Sequence, residues 1–253
     1  MSVESISPDG FRLVFSGYMR LAINLTAIWL WGLPSRSLSS LVLNREAIKL
    51  AEAAALPDVF PDGQSEANQA RTSFQRGFRW RDDDFQSASW TPQGLTTSAD
   101  ADVSGYRDGR KWLLVSWFHE DDDDDTDRTR VTFVDITDWG TPIRYRHILL
   151  VEPYFDGIRP NFRDVRIHIG GVAWTGRYLF VVDTHYGLRV FDTAQIKEVS
   201  TGEPEAIGRL GGSYHAHDYR YILPQIATYR SFHLPVVILR SRSQPLRCRY
   251  CLR

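Results

Sequence analysis

Three histidines are the residues whose type and spacing best suit metal chemistry. His215 and His217 stand two positions apart in YHAHDY, and His168 lies in RIHIGG. Residues i and i+2 of an extended segment point to one side, so His215 and His217 would present both imidazoles together. If His168 joins them, the three form a transition-metal site that could activate water. The alternative is that all three are ordinary polar loop residues.

Other reactive residues lack the spacing that their chemistry needs. The acidic run Asp121–Asp125 could hold a hard cation, but it lacks the glycine and the spacing of an EF-hand loop, which favours a solvated hairpin tip. Cys248 and Cys251 form a single CxxC, too little for a disulfide scaffold. It could be half of a zinc site or a redox pair, but with no second pair, no fitting histidines nearby and no βαβ context, neither role is favoured. The sequence contains no nucleophile elbow, Walker loop, HExxH or dinucleotide fingerprint, so it indicates neither an enzyme class nor a cofactor.

The overall charge gives no reason to expect a nucleic-acid partner. The 253 residues carry a formal net charge of -1, and a balanced chain lacks the basic field that binds nucleic acids or anionic lipids. Aromatic residues reach 13%, with eight tryptophans. That content favours a sheet-rich fold, in which flat rings cover pleated surfaces.

Residues 1–73 are interpreted as an N-terminal segment with an apolar run and one helix. The run Leu21–Leu33 follows basic residues and is too short for a stable transmembrane span. It is either the apolar part of a secretory signal or a buried element. A helix is predicted over Leu43–Leu56, because this stretch is rich in strong helix formers with one apolar face and ends at Pro57.

Residues 74–230 change to short strands that recur. WLLVSW within Lys111–Phe118 matches YLFVVD within Arg177–Thr184, and TFVDIT within Arg130–Asp138 matches RVFDTA within Gly187–Ile196. Hairpins that recur every roughly 40 to 50 residues are typical of a β-propeller, whose small sheets bury their faces against one another.

Residues flanking these strands are expected to serve the fold. Asp135, Asp183 and Asp192 each follow an apolar run, where their carboxylates should accept hydrogen bonds from turn amides. The stretch Phe74–Trp90 mixes aromatic and charged residues without a clean period. It is expected to be an extended lead-in that packs its rings on the following region.

The same stretches resemble known proteins. GGVAWTGRYLFVVDTHYGLRVFDTAQI, preceded by TFVDITDWGTPIRYRHILLVEP and WTPQGLTTSADAD, is similar to a family of largely uncharacterised bacterial proteins, many of them secreted by actinomycetes. It is also similar to LVIVD-type propeller repeats, in which a strand ends in VD or FD before a turn. The resemblance covers residues 74–230 and implies a propeller fold and an extracellular or cell-envelope location, with the cytoplasm as the alternative. It carries over no catalytic residue.

The chain departs from that family pattern in two places. Residues 74–230 supply about three blades, whereas closed propellers have about 4 to 8, and residues 231–253 read as an irregular basic tail, as a truncated or out-of-frame gene would give. The expected fold is therefore all-β: an open or partial propeller preceded by a short helical segment. The expected function is binding or scaffolding of an unknown ligand or envelope component. The alternative is a metal-assisted hydrolase or lactonase that uses His168, His215 and His217.

Overall fold

The computed structural model describes residues 12–16, 33–50, 76–119, 128–157, 159–185 and 187–232, and these are mostly strands. The strands are β1 (Arg12–Ser16), β2 (Arg45–Glu46), β3 (Ile48–Leu50), β4 (Gly77–Arg79), β5 (Trp90–Thr97), β6 (Trp112–His119), β7 (Arg128–Asp135), β8 (Arg144–Phe155), β9 (Pro160–Asp164), β10 (Ile169–Thr175), β11 (Tyr178–Asp183), β12 (Gly187–Asp192), β13 (Lys197–Glu198), β14 (Ile207–Leu210), β15 (Ser213–Ala216) and β16 (Tyr221–Phe232). The described helices are short: α1 (Asp82–Phe85), α2 (Ser98–Ala101) and two 3-10 turns. The all-β prediction is confirmed.

Twelve of these strands form one sheet that curls into a nearly closed barrel. The path along the sheet is β10-β11-β12-β16-β8-β7-β6-β5, and β1, β2, β9 and β13 pair at its sides. All of these pairs are antiparallel except the parallel pair of β16 with β8. The two end strands meet where Trp174 N donates to Thr96 Oγ1 at 3.3 Å.

The two matching hairpins are built alike. Trp112 lies opposite Asp135 in the β6–β7 pair, and Tyr178 lies opposite Asp192 in the β11–β12 pair. Phe133 from one hairpin packs against Trp174 beside the other, with ring centroids 6.3 Å apart. Both hairpins therefore supply the apolar interior of the barrel.

The predicted role of the strand-ending aspartates is confirmed. Asp135 accepts a hydrogen bond from Thr137 N at 3.0 Å, and Asp192 accepts one from Ala194 N at 3.0 Å. Asp183 accepts one from His185 N at 3.2 Å. Each carboxylate satisfies the backbone where the chain leaves the sheet.

The lead-in also packs as predicted. The Trp80 ring lies 5.1 Å from the ring of Trp117 and 5.0 Å from that of Tyr145, both in edge-on arrangements. The lead-in then turns into α1, which carries Asp84 into the protein.

Three separate propeller blades are not confirmed. The strands of both hairpins belong to one hydrogen-bonded sheet, whereas blades are separate small sheets. The connection is made by β16, in which residues 222–224 pair with β8 and residues 225–230 pair with β12.

The helix predicted over Leu43–Leu56 is wrong for residues 45–50. Arg45–Glu46 pairs with β8, and Ile48–Leu50 pairs with β4. Backbone partners supplied by distant strands override the local helix propensity. Residues 51–56, the apolar run up to residue 32, the acidic run and both cysteines lie outside the described residues. No helix in the described ranges is long and apolar enough to cross a membrane.

Candidate anion-binding cleft

A gap interrupts the sheet along one edge of β8. On the edge opposite β7, Tyr145 pairs with Arg45 of β2, and Leu149 pairs with Ile222 of β16. Between these pairs, no strand among the described residues pairs with residues 146–148 on this edge. The gap is therefore bounded by a strand at each end.

The backbone of His147 faces this gap. Ile143 O accepts a hydrogen bond from Ala47 N at 2.8 Å, which shows that residue 143 turns its backbone groups toward β2. Alternate residues of a strand turn these groups to the same edge. The N–H and C=O of His147 therefore point into the gap.

The gap opens into a polar cleft of about 250 Å³. That size is near the lower end of ligand pockets, which run from roughly 300 to 1,000 Å³. Its lining contains three arginines and two histidines but one carboxylate, so positive charge predominates there. The lining residues are Asn44, Arg45, Arg130, Arg146, His147, His217, Asp218 and Tyr219.

Asp84 lies behind the wall of the cleft and accepts hydrogen bonds from four surrounding side chains. Its Oδ1 accepts hydrogen bonds from His147 Nε2 at 2.9 Å and Arg130 Nη2 at 3.2 Å. Its Oδ2 accepts from Tyr145 Oη at 2.6 Å and Arg45 Nη1 at 3.0 Å. Burial alone would raise the pKa of Asp84, but the bonds from His147 and Tyr145 and the charge of Arg130 hold this pKa well below its usual value.

His147 is a neutral member of this cluster. Burial, together with the charges of Arg130 and Arg45, lowers its pKa to about 4 against the pull of Asp84. With Nε2–H donating to Asp84, the Nδ1 atom accepts from Thr132 Oγ1 at 2.6 Å. Thr132, His147 and Asp84 thus have the connectivity of a hydroxyl–imidazole–carboxylate triad. Because Thr132 is 0% exposed, no substrate can reach its hydroxyl, and the chain of bonds is structural.

Arg130 is fixed on every side. Its guanidinium lies 4.1 Å from the Trp90 ring centroid and 4.8 Å from that of Trp117. Its Nη1 reaches Tyr219 Oη at 3.4 Å, while its buried Nε has no hydrogen-bond partner. The two rings and Asp84 together prevent Arg130 from changing rotamer without loss of these contacts.

Arg146 differs from its neighbours because it has no counter-ion. Its guanidinium lies 5.2 Å from the Tyr221 ring centroid, and within the described ranges no carboxylate reaches ion-pairing distance. Burial and the nearby charges of Arg220 and Arg45 lower its pKa, and Glu198 acts on it only from a longer distance. The cleft therefore contains a half-buried cation that lacks an anion.

The loop before β16 completes the cleft in a strained backbone conformation. His217 and Asp218 have φ values of 47° and 64°, in the left-handed region that non-glycine residues rarely occupy. His217 Nε2 lies 3.0 Å from Asp164 Oδ2, and Asp218 Oδ1 accepts from Gly202 N at 2.6 Å. These bonds hold the loop so that Tyr219 faces the cleft.

The three histidines predicted as metal ligands are placed differently. The strand β15 ends at Ala216, so His217 with its positive φ does not share the extended geometry of His215, which is buried. His168 is exposed, with its ring 4.7 Å from that of Phe118. Within the described ranges, no group of three or more His, Cys, Asp or Glu side chains is arranged to hold a metal ion. The metal-site prediction therefore finds no support in this part of the chain.

Of the residues that line this cleft, the sequence pattern singles out His217, as a candidate metal ligand, and part of the signal for the others is also present. Arg130 and Thr132 alternate with apolar residues in β7, and Tyr145 and His147 stand two positions apart in the neighbouring strand β8. Polar residues at period two on neighbouring strands indicate a shared polar face. Asp84, one of three consecutive aspartates, gives no comparable signal.

No protein-family model, curated protein or solved structure matches this chain. The resemblance to secreted propeller proteins stays a prediction, and the geometry of the cleft carries the functional argument.

Proposed function

We propose that this protein is a binding protein that holds a small anionic group, a carboxylate or a phosphate, beside Arg146. The observation that carries the proposal is the half-buried guanidinium of Arg146 without a counter-ion. A buried charge is costly unless it is paired. A ligand anion would supply the missing partner, and a guanidinium can bind carboxylate or phosphate through two parallel hydrogen bonds.

The surroundings of Arg146 are organised in advance for such a ligand. Asp84 fixes Arg45 and Arg130, and the two tryptophan rings hold Arg130 in place. The N–H of His147 points into the same gap. Little ordering would be required on binding, which favours affinity.

The cleft is better suited to binding than to catalysis, because both of its histidines already have hydrogen-bond partners within the protein. Both ring nitrogens of His147 have partners in Asp84 and Thr132. Those of His217 lie within hydrogen-bond distance of Asp164 Oδ2 and Pro204 O. A general base must lie within hydrogen-bond reach of a substrate proton, whereas the acceptor nitrogen of His147 faces the buried Thr132 hydroxyl. The binding role predicted from the sequence therefore takes precedence over the hydrolase alternative, while export and an envelope partner stay predictions.

The test is calorimetric titration of the protein with inorganic phosphate and with acetate at pH 7. We expect Arg146→Gln to weaken binding by about tenfold or more, since a hydrogen bond to a charged group contributes about 1.5–3 kcal/mol. The matched control is Arg144→Gln on the same strand, because the Arg144 side chain is 60% exposed and lies near Glu46. The control should bind as the wild type does.

The stability of Arg146→Gln shows whether weaker binding by this variant comes from the lost guanidinium or from a less stable fold. Because Arg146 has no acidic partner, its replacement should not lower the free energy of unfolding. Equal affinity of Arg146→Gln and wild type for both anions, or no binding by the wild type, would refute the proposal.

A further inference from the structure

We propose that the ligand is the C-terminal end of an extended peptide, whose carboxylate binds Arg146 while its backbone pairs with His147 as a short strand. This inference rests on the anion-binding function proposed above. It adds the class of molecule that carries the anion.

The shape of the gap limits the ligand to a chain end. Three residues of β8 are open on this edge, and at about 3.3 Å per residue they span roughly 10 Å. The pairs Tyr145–Arg45 and Leu149–Ile222 close the two ends of this stretch. A polypeptide that continued along the edge in both directions would collide with β2 or β16, so a ligand strand must terminate inside the gap.

The backbone groups of His147 favour a peptide over a simple anion. One donor and one acceptor face the gap, and an added strand satisfies both, as in peptide recognition by strand addition. Acetate, which has no donor at pH 7, could accept from the N–H but could not donate to the C=O. An unpaired carbonyl is unfavourable once a ligand excludes water from it.

The charges in the gap favour a free carboxylate at the end of that strand. Arg146 is the residue before His147, and Arg45 lies at the β2 end of the gap, with its own charge shared between Asp83 and Asp84. Tyr219 lines the cleft, with its hydroxyl beside Arg130. A peptide terminus supplies the anion for Arg146 and apolar atoms for the Tyr219 ring.

The experiment compares three probes on the wild-type protein: N-acetyl-alanyl-alanine, its C-terminal amide and acetate. We expect the free acid to bind at least about tenfold more tightly than either the amide or acetate. A fourth probe carries an N-methyl group on each amide nitrogen and should lose most of the gain over acetate, because it cannot donate to His147 C=O. These four probes differ only in the ligand, so their comparison does not depend on the folding of a variant.

The outcomes separate this inference from the function on which it rests. If acetate binds through Arg146 and the peptide acid binds no better, the peptide inference is overturned and anion binding stands. The same holds if the amide binds as well as the acid, or if N-methylation has no effect. If neither acetate nor the peptide acid binds the wild type, both proposals fail. The inference is supported when the peptide acid alone gains affinity and Arg146→Gln removes that gain.

Discussion

At the scale of single residues, one buried carboxylate determines the character of the cleft. Asp84 is 6% exposed and accepts four side-chain hydrogen bonds, from Arg45, Arg130, Tyr145 and His147. It therefore pairs with two of the cleft arginines, one of which also pairs with Asp83, and leaves Arg146 as the arginine of the cleft without a carboxylate partner among the described residues.

Asp84→Asn is expected to be strongly destabilising. Loss of the charge leaves Arg130 buried without its anion, and breaking a buried pair in this way costs about 3–5 kcal/mol. Urea unfolding at pH 7 measures the change in the free energy of unfolding. The matched control is the adjacent Asp83→Asn, because Asp83 is an exposed partner of Arg45 and Arg81 and should contribute less than about 1 kcal/mol. Equal losses in the two variants would contradict the central role of Asp84.

The neutral His147 should make stability depend on pH. Its pKa is about 4 in the folded protein and about 6.5 when unfolded. Between these values the unfolded state binds a proton that the folded state does not, so stability falls as pH drops from about 6.5 to 4, by up to about 3 kcal/mol. Urea unfolding across this range should give a shallower slope for His147→Gln than for wild type. An unchanged slope in His147→Gln would contradict the assignment.

At the scale of elements, the sequence predicts the hairpins that local residue patterns determine. It misses the strand pairings that depend on distant parts of the chain. The β6–β7 and β11–β12 hairpins follow from apolar runs that end in aspartate, and the structure contains both. Leu43–Leu56 reads as a helix because its residues favour one, yet Arg45 and Ile48 pair with strands about 100 and 30 residues away. The gap in β8 has the same origin, since it depends on where β2 ends and β16 begins.

Gly208 tests how β14 packs over β9. It has φ +83°, and a Cβ atom there would lie 2.7 Å from Phe162 O and collide with Asn161 Oδ1. Gly208→Ala should lower the free energy of unfolding by more than about 2 kcal/mol, from backbone strain and overpacking together. Gly211→Ala is the control, because Gly211 also has a positive φ but no atom within 4 Å of a Cβ, and it should lose only about 1 kcal/mol. Similar urea midpoints for the two variants would contradict this packing.

At the scale of the whole molecule, apolar strands are covered by a sheet that curls upon itself. Runs such as YLFVV require cover on at least one face, which either stacked blades or a curled sheet can provide. In β11 the curled sheet buries Leu179 and Val181 and leaves Tyr178 and Val182 exposed. The sequence pattern therefore predicts buried strands without distinguishing these arrangements. The decisive feature is β16, which bridges β8 and β12 and has no local signature of that role.

Closure of the barrel depends on a close approach of β5 and β10. A Cβ atom on Gly94 would lie 2.8 Å from Gly171 Cα, in a backbone that cannot rotate aside. Gly94→Ala should push the end strands apart and accelerate amide hydrogen exchange in β5 and β10 while leaving β7 and β8 protected. Gly171→Ala is the matched control, since its nearest contact would be Val182 Cγ2 at 3.9 Å. Faster exchange in both variants, or in neither, would contradict this closure.

The most direct test of the central claim is the hydrogen-exchange rate of the His147 backbone amide, compared with those of Tyr145 and Leu149 on the same edge of β8. Tyr145 and Leu149 have strand partners there and should be protected, whereas His147 should exchange rapidly in the free protein. Saturating N-acetyl-alanyl-alanine should slow exchange at His147 in the wild type but not in Arg146→Gln. If the His147 amide is as protected as its two neighbours without ligand, the gap is already filled, and the proposed binding site does not exist.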